Sequence, residues 1–112
     1  MAQTIDWFLA GAFDPNGFDI DFEAHDKEAR AVTSIDEARV WFKRAVANAL
    51  KQLDEKSGEE WSQPLPNGPV MGGQPRFSVF WGIMDHTAHH RGALTVYART
   101  RGKIPPNLYM DM

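Results

Sequence analysis

The sequence predicts an all-α, up-down helical bundle, and three observations carry that expectation. Two long segments, one opening at Ile35 and one running from about Arg76 to Arg101, repeat their apolar residues at the helical period. Both are bracketed by residues that start or stop helices. The segments between them are broken by turn residues and sustain neither a helix nor a strand period.

In chain order, Ile5, Phe8 and Leu9 repeat at helical spacing before Gly11, and Asp14-Pro15-Asn16-Gly17 then interrupts the pattern, so the first helix is expected to be short. From Phe18 to Thr33 acidic residues alternate with Phe and Ile without a lasting period, which reads as an irregular loop. Ser34-Ile35-Asp36-Glu37 has the form of a capping box: the Ser34 hydroxyl can accept from the Glu37 amide while the Glu37 carboxylate reaches back to the Ser34 amide. A long helix is therefore expected from Ile35, with an inward face of Phe42, Ala45, Val46, Ala49, Leu50 and Leu53 and a left-handed stop at Gly58, just past Ser57. Between Glu59 and Pro75 the prolines and the pairs Asn67-Gly68 and Gly72-Gly73 remove donors and add flexible joints, so no regular element is expected there. The last helix ends at Gly102 and is closed by Pro105-Pro106.

Composition sets outer limits. With 112 residues, 43% hydrophobic and 24% charged, the chain fits one domain spanning 1–112 and can bury a modest core. A net charge of -3 and a pI near 5.7 argue against a nucleic-acid surface, as does the absence of a dense basic patch. No stretch is apolar enough to span a bilayer, and no secretion signal is recognisable at the N-terminus, so a cytoplasmic location is the expectation. With no cysteine, the chain has no disulfide, thiolate ligand or cysteine nucleophile, and any thiol chemistry would need a thiol cosubstrate.

The chemistry concentrates in the last helix, where His86 and His90 stand four residues apart with His89 beside them. At about 100° of rotation per residue, positions four apart project from one face one turn above the other, so two ring nitrogens can converge on one metal ion. Val79, Ile83, Leu94 and Tyr97 fall within about 80° of His86 on the same wheel, so the pair interrupts the stripe that must face a core. Burying two neutral imidazoles requires a partner for each ring nitrogen, and a shared metal with outer hydrogen-bond acceptors meets that need. The alternative is one histidine satisfied by a carbonyl and the other lying at a boundary.

Other residues have competing roles. His25, among Glu23, Asp26 and Glu28, could serve as a replacement ligand, but a solvated loop histidine is the expectation. His89 is expected to pair with Asp85, one turn earlier, rather than to bind metal. Arg91 and Arg99 could orient an anionic substrate; the expectation is a solvated face paired with carboxylates such as Asp111 or Glu28. Of Trp7, Trp41, Trp61 and Trp81, core packing should occupy most, with one left for a pocket or a subunit interface. No Ser-His-Asp order, phosphate-cradling glycine loop or dinucleotide fingerprint occurs.

The run HTAHHRGALTVYARTRGKIPP, from His86 to Pro106, resembles the C-terminal signature of the DinB-like superfamily of metal-dependent enzymes, which is unrelated to the DNA polymerase sharing that name. The matching positions are His86, His90, Arg91, Gly92, Leu94, Tyr97, Arg99, Gly102 and Pro105. The family usually carries Gln after Arg-Gly, where this chain has Ala93, which removes any polar role for that side chain. IDWFLAGAF, near the start, looks like the end of the family's second helix.

The resemblance implies a four-helix bundle whose divalent metal is held by three histidines, two from the last helix and one from the second. Only the two from the last helix have counterparts here. The third would fall at or just before Met1, and the segment from Met1 to Asp6 has no histidine. The family's first helix also has no counterpart, so the chain is expected to be either a naturally shortened member or a late-starting reading frame. The resemblance further implies that the segment before the last helix runs near the metal, as a lid or pocket wall; a passive linker is the alternative.

The implied chemistry is metal-assisted hydrolysis, or transfer or isomerisation with a low-molecular-weight thiol, on a small-molecule substrate. His86 and His90 would hold Zn²⁺ or Ni²⁺ weakly and at partial occupancy. The rival expectation is a non-catalytic member serving as a metal-binding or structural homo-oligomer. Because the helices fall short of four, a two-fold homodimer is expected to cover the remaining apolar faces.

Overall fold

The computed structural model describes residues 1–107, 109 and 110, and among them five α-helices follow one another: α1 Ala2–Phe13, α2 Phe22–Arg30, α3 Ile35–Glu55, α4 Gly58–Ser62 and α5 Ser78–Thr100. The all-α expectation holds. The central element is α1, which packs against both α3 and α5. Trp41 in α3 donates its indole N–H to Asp6 Oδ2 at 2.7 Å, and Lys56, just past α3, lies 4.4 Å over the Phe13 ring. Those two ties make α1 and α3 run in the same direction. In contrast α5 runs antiparallel to α1: Phe13 and Phe80 both pack on Trp61, Phe8 meets Gly82, and Gln3 and Thr4 share a cavity with His86.

The first helix is longer than its apolar spacing predicts. It runs through Gly11 to Phe13 and ends where Asp14 to Gly17 form the expected turn, closed by the Gly17 amide donating to the Asp14 carbonyl at 2.9 Å, with Gly17 at φ +79°. Gly11 is a packing position rather than a stop, because a Cβ there would run into the Phe18 ring. Ile5, Leu9 and Ala12 supply the buried side chains of α1.

The expected loop from Phe18 to Thr33 contains α2, which is a correction with a clear cause. This helix buries no residue, so it leaves no apolar stripe to read. Local terms hold it instead. Asp21 Oδ1 caps it by accepting from the Ala24 amide at 3.0 Å, Glu23 lies in the first turn, and Lys27 and Arg30 lie in the last, each charge complementing the helix dipole. An Asp26–Arg30 ion pair at 2.7 Å spans one turn.

The start of α3 is as predicted, with Ser34 Oγ accepting from the Glu37 amide at 3.1 Å. The reciprocal bond is displaced by one residue, since the Glu37 carboxylate accepts from the Thr33 amide rather than from Ser34. The inward face is rotated from the expected one. Ala45 is fully buried and Trp41, Val46 and Ala49 pack beside it, whereas Phe42, Leu50 and Leu53 are exposed. The Trp41 tie to Asp6 sets that rotation, and the small Ala45 lets α1 approach closely. The predicted stop at Gly58 is also corrected. The helix ends at Glu55, Lys56 turns extended, and Gly58 opens α4 behind a complete capping box of Ser57 and Glu60.

The segment from Glu59 to Pro75 is neither structureless nor a passive linker. It holds α4, folds back on itself through a Pro64–Pro75 bridge, and returns to α5 through the Arg76 amide donating to the Gln63 carbonyl and the Phe77 amide to that of Trp61. Trp61 and Leu65 join Ile5, Leu9, Ala12, Ala45 and Val79 in the core. The last helix occupies the expected span within two residues at each end and stops at Gly102, φ +70°. Its stripe divides. Val79 is buried and Ile83 packs against the core, while Leu94 and Tyr97 are 54% and 68% exposed.

Among the described residues no helix is long and apolar enough to cross a membrane.

Candidate functional site

The candidate site lies in the middle of α5, where the core packing ends. Four-residue spacing brings His86 and His90 to one face as predicted, where their Nε2 atoms share a hydrogen bond of 2.8 Å, one ring N–H donating to the other ring's nitrogen, with ring centroids at 4.4 Å. Two nitrogens bound to one zinc at about 2.0–2.1 Å would lie roughly 2.8–3.4 Å apart at bond angles near 90–110°. The observed separation therefore needs only a small side-chain adjustment to admit an ion. His86 is half-buried and His90 exposed, so one ligand is anchored against protein while the other faces solvent. Burial, and after it the neighbouring His90, push the His86 imidazole below the ordinary histidine pKa, which keeps its lone pair free near neutral pH. Among the described residues, no group of three or more His, Cys, Asp or Glu is placed to hold one ion.

Beside His86 opens a cavity of about 330 Å³, lined by Gln3, Thr4, Trp7 and Phe8 of α1, Phe22 and His25 of α2, and His86 itself. Larger cavities of about 420, 510 and 520 Å³ lie elsewhere, the first near Phe13 and Arg76 and the other two beside Trp41, and none of these is lined by an imidazole. The aromatic wall is built locally: Trp7 meets Phe8 edge-on and Phe18 and Phe22 at tilted angles, with centroid distances from 4.9 to 6.1 Å, and its indole N–H donates to the Asp19 carbonyl at 2.6 Å.

The expectation of a solvated loop His25 is corrected. It sits within α2, its side chain is 24% exposed, and its Nε2 is buried 3.3 Å from Asp19 Oδ2, at ion-pair distance but without hydrogen-bond alignment. Its backbone carbonyl accepts from the Gln3 side chain, which ties α2 to α1. This is the site residue that apolar periodicity could not place. The Asp21 cap, the first-turn Glu23 and the last-turn Lys27 and Arg30 were the signal that would have put it on a helix.

The remaining candidates stand apart from the cavity. His89 is exposed and makes an edge contact with the His90 ring at 5.2 Å, and no His89–Asp85 ion pair forms among the described residues. Among the described residues Arg91 donates to the Tyr109 hydroxyl at 2.9 Å and lies over that ring; Asp111 lies outside the described residues. Of the tryptophans, Trp61 is in the core, Trp41 packs against it, Trp7 lines the cavity and Trp81 is exposed. The connector before α5 does not wall the site. Its core residue Trp61 packs on Phe13 and Phe80, at the opposite end of α1 from Gln3 and Thr4.

No curated protein and no solved structure matches the chain. The model of the DinB family matches residues 15–112.

Proposed function

The chain belongs to the DinB family, and from that premise we propose that it is a metal-dependent enzyme, a hydrolase or a thiol-dependent transferase or isomerase, whose divalent ion is held by His86 and His90. The observation that carries the proposal is the convergence of the two Nε2 atoms at 2.8 Å on one face of α5. A bound Zn²⁺ or Ni²⁺ would act as a Lewis acid, lowering the pKa of a coordinated water or thiol and supplying a nucleophile near neutral pH. The chain's own residues then divide the work. His86 and His90 would donate lone pairs to the ion and so would not be available as bases. Trp7, Phe8 and Phe22 give the adjoining cavity an apolar wall, and Gln3 and Thr4 add polar groups to its lining. A cavity of about 330 Å³ is at the small end of the usual range of about 300–1,000 Å³ for ligand sites, which favours a small substrate.

The test is metal content after mild dialysis in the wild type, His86→Ala and His90→Ala. Partial Zn²⁺ or Ni²⁺ occupancy in the wild type, lost in both variants with helicity retained, is the expected result. Equal content in all three overturns the proposal. Hydrolysis or thiol conjugation of generic ester, amide and electrophilic substrates should require added metal and vanish in His90→Ala; a metal-independent rate removes the enzymatic part.

A second reading, a member acting without catalysis as a homo-oligomer, is favoured by one observation: Leu94, Val96 and Tyr97 of α5, together with Val40 and Leu50 of α3, are left exposed. Each copy offers the same faces, so a two-fold contact could bury them on both chains at once. Sedimentation at micromolar concentration separates the cases, and a cooperative, well-folded monomer removes this one.

A further inference from the structure

At the end of α1 away from His86, a separate cavity of about 420 Å³ lies between residues 13–15 and the fold-back segment. We propose that it binds a small apolar α-amino acid as a zwitterion, with the ligand's carboxylate on Arg76 and its ammonium on Asp14. Both side chains line this cavity, yet neither forms an ion pair, with the other or with any other described residue. Opposite charges held apart across one cavity call for a ligand that carries both.

Arg76 is arranged to receive a carboxylate. Its Nη1 donates to the Glu60 carbonyl at 3.2 Å and its guanidinium carbon lies 4.8 Å from the Phe13 ring centre, so protein contacts hold the group in place. What remains is the Nε–Nη2 edge, a fork that a carboxylate can take with two parallel hydrogen bonds. Nε is buried with no hydrogen-bond partner, a state that costs free energy until an acceptor arrives.

Asp14 supplies the matching half. It follows α1 directly, where the last helix carbonyls carry partial negative charge, and no basic residue stands in that helix's last turn. Its Oδ1 accepts from the Asn16 amide at 2.8 Å, which fixes the side chain in the turn. An ammonium beside it would offset both the carboxylate and the helix end. Lys56 reaches the Phe13 ring but does not line the cavity, so it does not take that place. Phe13, Pro15, Pro64 and Leu65 give the ligand's side chain an apolar wall.

The experiment titrates the full ¹⁵N-labelled chain with L-leucine, N-acetyl-L-leucine and L-leucinamide and follows the Arg76 Nε–H and Asn16 amide resonances. L-Leucine should shift both saturably, and each analogue, having lost one charge, should bind at least about tenfold more weakly. Asp14→Asn keeps an oxygen for the Asn16 amide; it should weaken L-leucine at least about tenfold and leave N-acetyl-L-leucine unweakened. The comparison of three ligands on the wild type requires no variant to fold. N-Acetyl-L-leucine binding as tightly as L-leucine would make this a plain anion site, and L-leucinamide doing so a plain amine site; either overturns the proposal. So does L-leucine that gives no saturable shift, and none of these outcomes touches the metal site.

Discussion

The two halves of α5 have the same helical period and opposite fates. From Ser78 to Ile83 the helix is packed: Ser78 and Val79 are buried, Phe80 and Ile83 lie against the core, and the fold-back segment carrying Trp61 and Leu65 closes over them. From Leu94 to Tyr97 the same stripe faces solvent. The pattern of apolar residues is therefore a statement about what a helix can bury, and the neighbour decides what it does bury. His86 and His90 mark the border, one half-buried and one exposed. The metal site proposed above would use that border, because a ligand anchored by packing holds position while an open side admits substrate.

If the packed half carries the stability of the chain, truncation there must cost far more than truncation in the open half. Leu65 is 2% exposed and shares the core with Val79. Leu65→Ala should destabilise by about 2–5 kcal/mol, the usual cost of deleting a fully buried leucine side chain, whereas Leu94→Ala should stay within about 0.5 kcal/mol. Urea unfolding followed by circular dichroism measures both. Equal losses would mean that the open half is covered in solution and would erase the contrast.

Two glycines ten residues apart on α5 sharpen it further. A Cβ added at Gly82 would come within 2.6 Å of the Phe8 ring, while one added at Gly92 meets nothing within 4 Å. Gly82→Ala should therefore lose about 1–3 kcal/mol to overpacking against α1, even after the gain in helix propensity. Gly92→Ala should gain about 0.5–1 kcal/mol, because alanine gives up less backbone entropy in a helix interior. Opposite shifts of Tm are the expected result. A loss at Gly92 would reveal a close neighbour on the open half.

The same contrast explains what could be read from the sequence. Elements with a buried stripe and capping residues were legible: α3 from Ser34, α5 to Gly102, and the turn at Asp14 to Gly17. The spacing of His86 and His90 also carried directly into a shared face. What escaped was set by partners distant in sequence. The rotation of α3 depends on Trp41 reaching Asp6, 35 residues away, and no periodicity contains that bond. The core role of Leu65 depends on backbone bonds across the Pro64–Pro75 bridge, in a stretch whose prolines and glycines signal only interruption. α2 escaped for the opposite reason, being held by its own charges and cap with no buried face. His25 escaped with it, so the part of the cavity wall that α2 supplies, Phe22 and His25, was invisible to a search for apolar stripes.

The smallest effect lies at the capping box of α4, the element that delivers Trp61 to the packed half. The Ser57 amide donates to Glu60 Oε2 at 2.7 Å, and the Glu60 amide donates to Ser57 Oγ at 3.1 Å. The carboxyl of Glu60 is held below its ordinary value of 4.5, first by the Ser57 backbone N–H that it accepts and second by the Ser57 side chain. A carboxylate whose folded pKa is depressed binds fewer protons folded than unfolded. Its contribution is complete above pH 4.5 and is lost as pH falls through the lowered folded value. The ¹³C carboxyl resonance of Glu60 should thus titrate below 4.5 in the wild type and move back toward 4.5 in Ser57→Ala. The Leu94 and Gly92 signals should be unmoved by that substitution, since the cap supports the packed half alone. An unshifted Glu60 midpoint in Ser57→Ala would show that the hydroxyl contributes nothing and that the residue-57 backbone N–H alone holds the charge. A response at Leu94 would show that the two halves of α5 are coupled.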